Sequence, residues 1–144
     1  MPTDAPTLSD FLCFELYAAN HAMSKVYSPH LRALGLTYPQ YITLVALWEK
    51  DDRTVGALGQ TLSLESSTLT PLLKRMEGMG LVTRSRSDQD ERVVRISLTE
   101  AGRALQDKAP DVPACIQAAT GLAPEDLRRL HRDIATLRRN LLSA

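Results

Sequence analysis

The sequence predicts a mainly α-helical fold that also contains a small β-hairpin, which places it in the α+β class. Apolar residues recur every three to four positions through most of the chain, as expected for helices that bury one face. The stretch from Leu81 to Leu98 differs, because two short runs there alternate apolar and polar residues. These runs flank the polar segment 87–92, and this pattern indicates two strands joined by a hairpin loop.

Length and composition limit the kind of protein. At 144 residues, 44% of them hydrophobic, the chain is long enough for a single folded domain over 1–144. It has no apolar run of the roughly 18 residues that a membrane span needs, and its start does not resemble a signal peptide. We therefore expect a cytoplasmic protein without a membrane partner. Its two cysteines are not expected to form a permanent disulfide there.

The charge is unevenly distributed although its total is zero. Residues 1–52 carry three Lys/Arg against six Asp/Glu, whereas residues 53–103 carry eight against six. The local charge, not the total, determines contact with phosphates, so an anionic partner is expected at the middle segment. Its basic side chains include Lys74, Arg75, Arg84, Arg86, Arg92 and Arg95.

The first helix is predicted over residues 7–34. The run from Thr7 to Asp10 fits a capping box, and Gly35 provides a stop. Cys13 falls in the second turn of this helix. The apolar residues at helical spacing, which should form a buried face, are Leu8, Leu12, Leu16, Ala19, Met23 and Val26.

The second helix begins at another capping box, which runs from Thr37 to Gln40 with a proline in the first turn. It is apolar nearly all round, so it should form the core beneath the elements that follow. Trp48 is predicted to be a core residue because it lies among aliphatic side chains.

A helix-turn-helix follows the core helix. Thr54 can cap a short helix, and a second helix starts between Glu65 and Thr68 and stops at Gly80. Its apolar face is Leu69, Leu72, Leu73 and Met76. The small hydroxyl residues at its start would let it approach base edges closely, so double-stranded DNA is the expected partner. Together with the hairpin, residues 37–98 make a winged helix-turn-helix.

The C-terminal region is predicted to be helical. Thr99 can cap a helix that Pro110 and Pro113 should break, and Pro124 starts the last helix. The last helix carries one apolar stripe, formed by Leu127, Leu130, Ile134, Leu137 and Leu141. Two terminal regions, 7–34 and 99–144, are thus amphipathic. They can pack against a second copy of the chain or cover the core of one monomer.

The central motifs resemble those of the multiple-antibiotic-resistance regulator (MarR) family. The Asp-x-Arg of that family's wing is matched by Asp90 to Arg92, its Leu-Thr-x-x-Gly by Leu98 to Gly102, and the pattern of its reading helix by Thr68 to Glu77. The resemblance implies a homodimer whose paired wings span a pseudo-palindromic operator. Base or phosphate contacts are expected from Ser66, Ser67 and Thr68, phosphate contacts from Lys74, Arg84 and Arg86, and a minor-groove contact from Arg92, which Asp90 would orient.

A second group of residues, in and after the first helix, resembles one particular branch of this family. A single cysteine on an apolar helix is most often a packing residue. However, Cys13, Tyr17, Tyr27 and the run from Leu36 to Tyr41 resemble the organic hydroperoxide sensor (OhrR) branch of the family. This implies that Cys13 is the peroxide-reactive thiol, that Tyr27 and Tyr38 bind it from the other subunit, and that Tyr17 is a neighbour in the pocket. It also implies that Cys115 forms an intersubunit disulfide after oxidation.

The spacing along the first helix agrees with a site shared by two subunits. Tyr27 lies fourteen residues after Cys13, roughly 21 Å away along one helix at 1.5 Å per residue. Its hydroxyl can reach a sulfur only on another copy. The resemblance to the OhrR branch implies a repressor, not an enzyme, that binds its operator when reduced and releases it when an organic hydroperoxide oxidises Cys13.

Other interpretations stay open from the sequence. A repressor of the same fold could respond to a small phenolic ligand while Cys13 only packs. A thiol peroxidase would also need a reactive cysteine, but the winged helix would then be unexplained. No cofactor and no metal site is expected, because His21, His30 and His131 are scattered and the cysteines form no ligand-spaced pair.

Overall fold

The structure, a computed structural model, describes residues 5–144. Within that range the chain forms two compact units, one that ends at Pro110 and one that spans Asp111–Ala144. Both are built mainly from helices, and a small sheet lies in the first, so the predicted fold class is confirmed. The helices and strands are, in chain order, α1 (Leu12–Leu34), α2 (Tyr38–Glu49), β1 (Arg53–Thr54), α3 (Val55–Leu62), α4 (Ser66–Gly78), β2 (Val82–Arg86), β3 (Val94–Leu98), α5 (Glu100–Lys108), α6 (Val112–Ala119) and α7 (Pro124–Leu142).

The first helix begins later than its sequence predicts. The Thr7 N–H donates to the Asp10 carboxylate at 2.8 Å, as in the predicted capping box. These contacts close only a short 3-10 turn over Leu8–Asp10, because Phe11 then adopts an extended backbone with φ −89° and ψ 115°. The α-helix therefore starts at Leu12, and Cys13 lies in its first turn, not its second.

The core of the first unit is built around α2. The Thr37 hydroxyl accepts the Gln40 N–H at 3.4 Å and the Gln40 side chain accepts the Thr37 N–H at 3.0 Å, so the predicted capping box is confirmed. Leu44 and Leu47 are fully buried. Trp48 is only half-buried, and its indole N–H donates to the Gly102 carbonyl at 2.9 Å. Trp48 is therefore not the fully buried core residue that its sequence setting predicts, because its indole N–H needs a hydrogen-bond partner.

The helix-turn-helix is formed by α3 and α4. The Thr54 hydroxyl accepts the Ala57 N–H at 3.1 Å and caps α3 as predicted. The turn between the helices is tight, since a Cβ on Gly59 would lie 2.8 Å from the Leu64 carbonyl oxygen. Glycine is therefore required at position 59, because any side chain there would clash with the turn. The predicted apolar face of α4 is buried, namely Leu69, Leu72, Leu73 and Met76.

A three-stranded antiparallel sheet follows, with strand order β1-β3-β2. β2 and β3 form the predicted hairpin, in which Val82 pairs with Leu98 and Arg86 with Val94. The third strand, β1, pairs with the middle of β3 and is not predicted by the sequence. It has only two residues, which is too short to show alternation.

The second unit contains α6 and α7. The predicted break at the prolines is confirmed, because α5 ends at Lys108 and Pro113 lies in the first turn of α6. No side chain of α7 is buried. Its apolar stripe is open in the single chain, with Leu130 44%, Ile134 42% and Leu141 64% exposed.

The predicted buried face of α1 is likewise largely exposed. Leu12 is 60% and Met23 42% exposed, and Leu31 is the only buried side chain of this helix. The prediction is wrong for an isolated chain, because an apolar stripe is buried only where something packs against it. None of the helices in residues 5–144 combines the length and the apolar composition that a membrane crossing requires.

Candidate DNA interface and thiol site

The start of α4 presents small hydroxyl side chains to solvent. Ser66, Ser67 and Thr68 form the first turn of this helix and are all exposed. The opposite face of α4 is anchored in the core, so the helix cannot rotate these hydroxyls away. An exposed, short-chained helix start is a surface that can enter a major groove.

The loop of the hairpin presents a single arginine. The Arg92 side chain is 90% exposed. The Asp90 carboxylate accepts the Arg92 backbone N–H at 3.0 Å and its Nε at 3.2 Å. The backbone hydrogen bond, followed by the side-chain one, lowers the pKa of the Asp90 carboxyl. Asp90 thus stays ionised and holds the Arg92 guanidinium at the tip of the wing, the geometry that the sequence predicts.

The other predicted basic residues differ in how free they are. The Arg84 Nε lies 3.3 Å from Glu77 Oε1, so its charge is already paired. Arg86 Nη1 donates to the Glu91 carbonyl at 3.2 Å, which leaves the rest of that guanidinium open. Lys74 is exposed on α4 and makes no ion pair within residues 5–144.

A groove of about 480 Å³ brings the reading helix and the wing together. Ser66 of α4 lines it with Arg84 and Arg92 of the hairpin. Thr54, predicted only as a helix cap, also lines the groove, and so does Thr70, which was not singled out from the sequence. Thr70 follows Ser66 by four residues, so helical spacing was the signal that could have identified it. Hydroxyls and guanidinium groups from the two elements thus line one groove.

The thiol of Cys13 lies at the exposed start of α1, and both cysteines of the chain are free. Tyr17, one turn further on, is 63% exposed. Its hydroxyl lies 3.2 Å from His21 Nε2, and the two rings meet edge to face at 4.9 Å. In the single chain Tyr17 is therefore engaged with His21 and not with the sulfur.

The other two predicted tyrosines lie together at the junction of α1 and α2. The ring centroids of Tyr27 and Tyr38 are 5.0 Å apart, and Tyr41, which was not singled out from the sequence, lies 6.2 Å from Tyr27. Burial, with smaller contributions from Tyr38 and Tyr41, raises the pKa of Tyr27 above its ordinary value. The Tyr27 hydroxyl therefore keeps its proton at neutral pH and can donate a hydrogen bond.

These tyrosines cannot serve the thiol of their own chain. Cys13 and Tyr27 belong to the same unbroken helix, Leu12–Leu34. Fourteen residues at 1.5 Å per residue separate them by roughly 21 Å. Cys115 lies in α6 of the second unit and is partly exposed.

Comparisons with known proteins identify the kind of regulator. The family model of the transcriptional regulators SarA/Rot matches residues 25–109. The organic hydroperoxide resistance transcriptional regulator of Bacillus subtilis is 49% identical over 134 residues, 93% of this chain and 91% of that protein. AbsC of Streptomyces coelicolor, a MarR family transcriptional regulator, has a TM-score of 0.83 at 26% identity and covers 99% of this chain and 100% of its own.

Structures of AbfR, a protein of Staphylococcus epidermidis, are also similar. Reduced AbfR bound to DNA has a TM-score of 0.79 at 31% identity, covering 95% of this chain and 96% of its own. The overoxidised, DNA-bound form scores 0.77 at 33% identity, covering 93% and 94%. Disulfide-formed AbfR scores 0.63 at 35% identity, covering 90% and 91%. The winged helix-turn-helix geometry and the near-complete coverage by these regulators show that the chain belongs to the MarR family of transcriptional regulators, in its organic hydroperoxide resistance branch.

Proposed function

We propose that the reduced protein binds an operator as a homodimer and releases it when an organic hydroperoxide oxidises Cys13. The observation that carries the proposal is that the two parts of the thiol site, the cysteine and the tyrosine, lie far apart on one helix. An exposed thiol stands at the start of α1, and a protonated donor, Tyr27, stands roughly 21 Å along it. Two antiparallel copies of α1 would bring each thiol to the other copy's tyrosines.

The dimer follows from the same helices. The apolar stripes of α1 and α7 are exposed in the single chain, and such stripes are normally covered in a stable protein. We assign the terminal regions, 7–34 and 99–144, to the dimer interface and residues 37–98 to the DNA-binding part of a single domain. A two-fold arrangement presents two α4 helices and two wings to the two halves of a pseudo-palindrome.

The DNA interface combines reading and positioning contacts. Ser66, Ser67 and Thr68 face base edges or phosphates, and Lys74, Arg84 and Arg86 face phosphates. Arg92 enters the minor groove. Both arginines are paired with a carboxylate, Arg84 with Glu77 and Arg92 with Asp90, but the Arg92 side chain is 90% exposed and the Arg84 side chain only 28%.

The chemistry begins at the Cys13 thiolate, the nucleophilic form of a cysteine. The sulfur attacks one peroxide oxygen, the O–O bond breaks, and the alkoxide takes up a proton and leaves as an alcohol. The resulting sulfenic acid is attacked by the thiolate of Cys115 of the partner subunit. A disulfide forms, the S–O bond breaks, and the oxygen leaves as water. The peroxide is reduced by two electrons and the two thiols are oxidised by two.

We infer that the disulfide, and not the first oxidation of Cys13, changes the arrangement of the dimer. Two forms of AbfR that bind DNA, reduced and overoxidised, fit this chain with TM-scores of 0.79 and 0.77, whereas its disulfide form fits with only 0.63. The disulfide form is thus less similar to this chain than the two DNA-bound forms are. Such a change in the dimer would alter the spacing of the two reading helices and prevent both half-sites from being held at once.

The decisive experiment compares the wild type with Cys13→Ser and Cys115→Ser. The DNA probe is the duplex that the reduced wild type selects from a randomised library. We expect cumene hydroperoxide to release the wild type and to form a dimer-sized band on a non-reducing gel. Cys13→Ser should bind DNA and ignore the peroxide, and Cys115→Ser should be oxidised without forming the disulfide.

Two outcomes would contradict the proposal. Wild-type protein that keeps its DNA affinity after peroxide would exclude the redox switch. Release of Cys13→Ser by a phenolic compound such as salicylate would favour a ligand-controlled repressor instead. The DNA interface is tested separately with Arg92→Ala, which should weaken binding and reduce the slope of log affinity against log salt by about one. An unchanged slope would remove Arg92 from the interface.

A further inference from the structure

Two consecutive aspartates hold the strand that returns from the wing. Asp51 and Asp52 follow α2 and immediately precede β1. The Asp51 carboxylate accepts the Leu98 N–H at 2.8 Å and Arg103 Nη2 at 3.0 Å. The Asp52 carboxylate accepts Arg95 Nε at 2.9 Å, and the Asp52 carbonyl accepts Arg95 Nη2 at 2.8 Å. β3 is thereby attached to the α2–β1 junction at its middle and at its end.

The backbone at this junction is unusual. Asp52 has φ 54°, in the left-handed region that side chains other than glycine rarely adopt. Aspartate tolerates it better than most residues, yet surrounding contacts are needed to hold it. The conformation lets the carbonyl and the carboxylate of Asp52 meet one guanidinium, that of Arg95.

These contacts keep both carboxylates charged. The hydrogen bond from Arg95 lowers the pKa of the Asp52 carboxyl. Burial raises the pKa of Asp51, but hydrogen bonds from the Leu98 and Asp52 N–H groups and from Arg103 lower it further than burial raises it. The Arg95 and Asp52 side chains are 40% and 61% exposed, and ion pairs this open add little to stability. These ion pairs can instead fix the position of β3 relative to the α2–β1 junction.

We infer that this clamp, defined as Asp51, Asp52, Arg95 and Arg103, positions the wing for DNA. Arg95 lies three residues after Arg92 and pairs with Ser85 across the hairpin. A rotation of β3 away from the junction would therefore move the wing tip. The inference deepens the proposed DNA interface and rests on the role of Arg92 there. It also assigns Arg95, one of the basic residues of the middle segment, to positioning and not to phosphate contact.

The test uses reduced full-length protein and the selected duplex. We expect Asp52→Asn and Arg95→Gln each to weaken DNA binding about three- to ten-fold, which lies in the lower part of the range of couplings between residues in contact. Asp52→Gly should weaken it as well, although glycine adopts the required φ without strain. A glycine variant that binds as tightly as wild type would show that only the backbone matters, and would overturn the inference.

A double-mutant cycle with Arg92→Ala separates positioning from general damage. If the clamp acts through the wing tip, Asp52→Asn should cost less than about two-fold once Arg92 is absent. The thermal midpoint of Asp52→Asn should stay within about 2 °C of wild type. The matched control is Asp126→Asn, which removes another exposed aspartate paired with an arginine, Arg129 of α7, but lies outside the apolar stripe of that helix. Its DNA affinity should equal that of the wild type once sedimentation has shown that its association is unchanged.

Each remaining outcome of the cycle is decisive. Equal losses from Asp52→Asn with and without Arg92, or no loss at all, would overturn the clamp while leaving the DNA interface in place. An Arg92→Ala variant that binds as tightly as wild type would overturn the interface and the clamp together. Peroxide is absent from these experiments, so a failure of the redox switch cannot be confused with either result.

Discussion

The winged region, from α2 to β3, and the terminal helices α1 and α7 differ in how far one chain completes them. In the winged region Leu44, Leu58 and Met76 are fully buried. Among the described residues no buried side-chain polar atom lacks a hydrogen-bond partner. In α7 no side chain is buried, and in α1 only Leu31 is. The winged region thus buries its apolar side chains within one chain. The helices α1 and α7 carry apolar stripes that nothing in the single chain covers.

This difference separates the features that one chain forms by itself from those that, on our proposal, require a dimer. The reading helix and the wing are held by contacts within one chain, so one copy can present them to DNA. On our proposal the apolar stripes and the thiol site need another copy. The stability of the winged region should therefore depend little on protein concentration, and that of the terminal helices strongly.

The largest effect is expected where the second copy packs. Ile134→Glu should raise the dissociation constant of the proposed dimer at least about 100-fold, because each of the two copies of this position would place an unpaired carboxylate in an apolar contact. Analytical ultracentrifugation over a range of concentrations would measure it. Thr136→Glu adds the same charge on the opposite face of α7 and should not change the association.

The next largest effect is expected in the core of the winged region. Leu44→Ala should lower the free energy of unfolding by about 2–5 kcal/mol, because it leaves a cavity beneath the reading helix. Urea titrations would measure it. Met79→Ala, which truncates a side chain 44% exposed, should change that free energy by no more than about 0.5 kcal/mol. Comparable losses from both would contradict the contrast in burial.

A smaller effect is expected at the cap of α3. Thr54→Ala should lower the free energy of unfolding by about 1 kcal/mol, since the Ala57 N–H loses its acceptor. Thr54→Ser keeps the hydroxyl and should lose only a few tenths of that. The same urea titrations would show it. The contact lies within one chain, so this loss of unfolding free energy should not depend on protein concentration. A loss that did would contradict the contrast between the winged region and the terminal helices.

The smallest effect concerns pH. The folded-state pKa of Asp51 and Asp52 lies below the unfolded value of about 3.9. Their contribution to stability is therefore present above that value and is lost as pH falls through the lower folded values. Thermal midpoints of the wild type should fall below pH of about 4, and Asp51→Asn should reduce this fall. An unaltered pH profile would mean that the junction is not charged as the structure indicates.

The sequence predicts the winged region well because its signals are local. The hydroxyl caps at Thr37, Thr54 and Thr99 each begin a helix at or next to the predicted position. A cap fails as a predictor at Thr7, where the extended Phe11 interrupts the helix that the capping box suggests. The clamp was missed because Asp52 and Arg95 are 43 positions apart and nothing local links them.

The thiol site is only partly predictable for a similar reason. The spacing of Cys13 and Tyr27 excludes a site within one chain, but it cannot show that Tyr41 joins the aromatic group. Tyr41 ends the run from Leu36 that carries the resemblance, but the sequence assigned it no role of its own. The prediction that the apolar stripe of α1 is buried was wrong for the single chain. Periodicity identifies an apolar face of a helix but does not show what covers that face.

The distance between sulfur and tyrosine along α1 has a genetic corollary. If every sensor draws its thiol from one chain and its phenols from the other, two defective proteins can repair each other. Mixing Cys13→Ser chains with chains that carry Tyr27→Phe and Tyr38→Phe would yield heterodimers in which one sensor has lost every part and the other is whole. Co-expression of two insensitive alleles should then restore an inducible response that neither allele supports by itself.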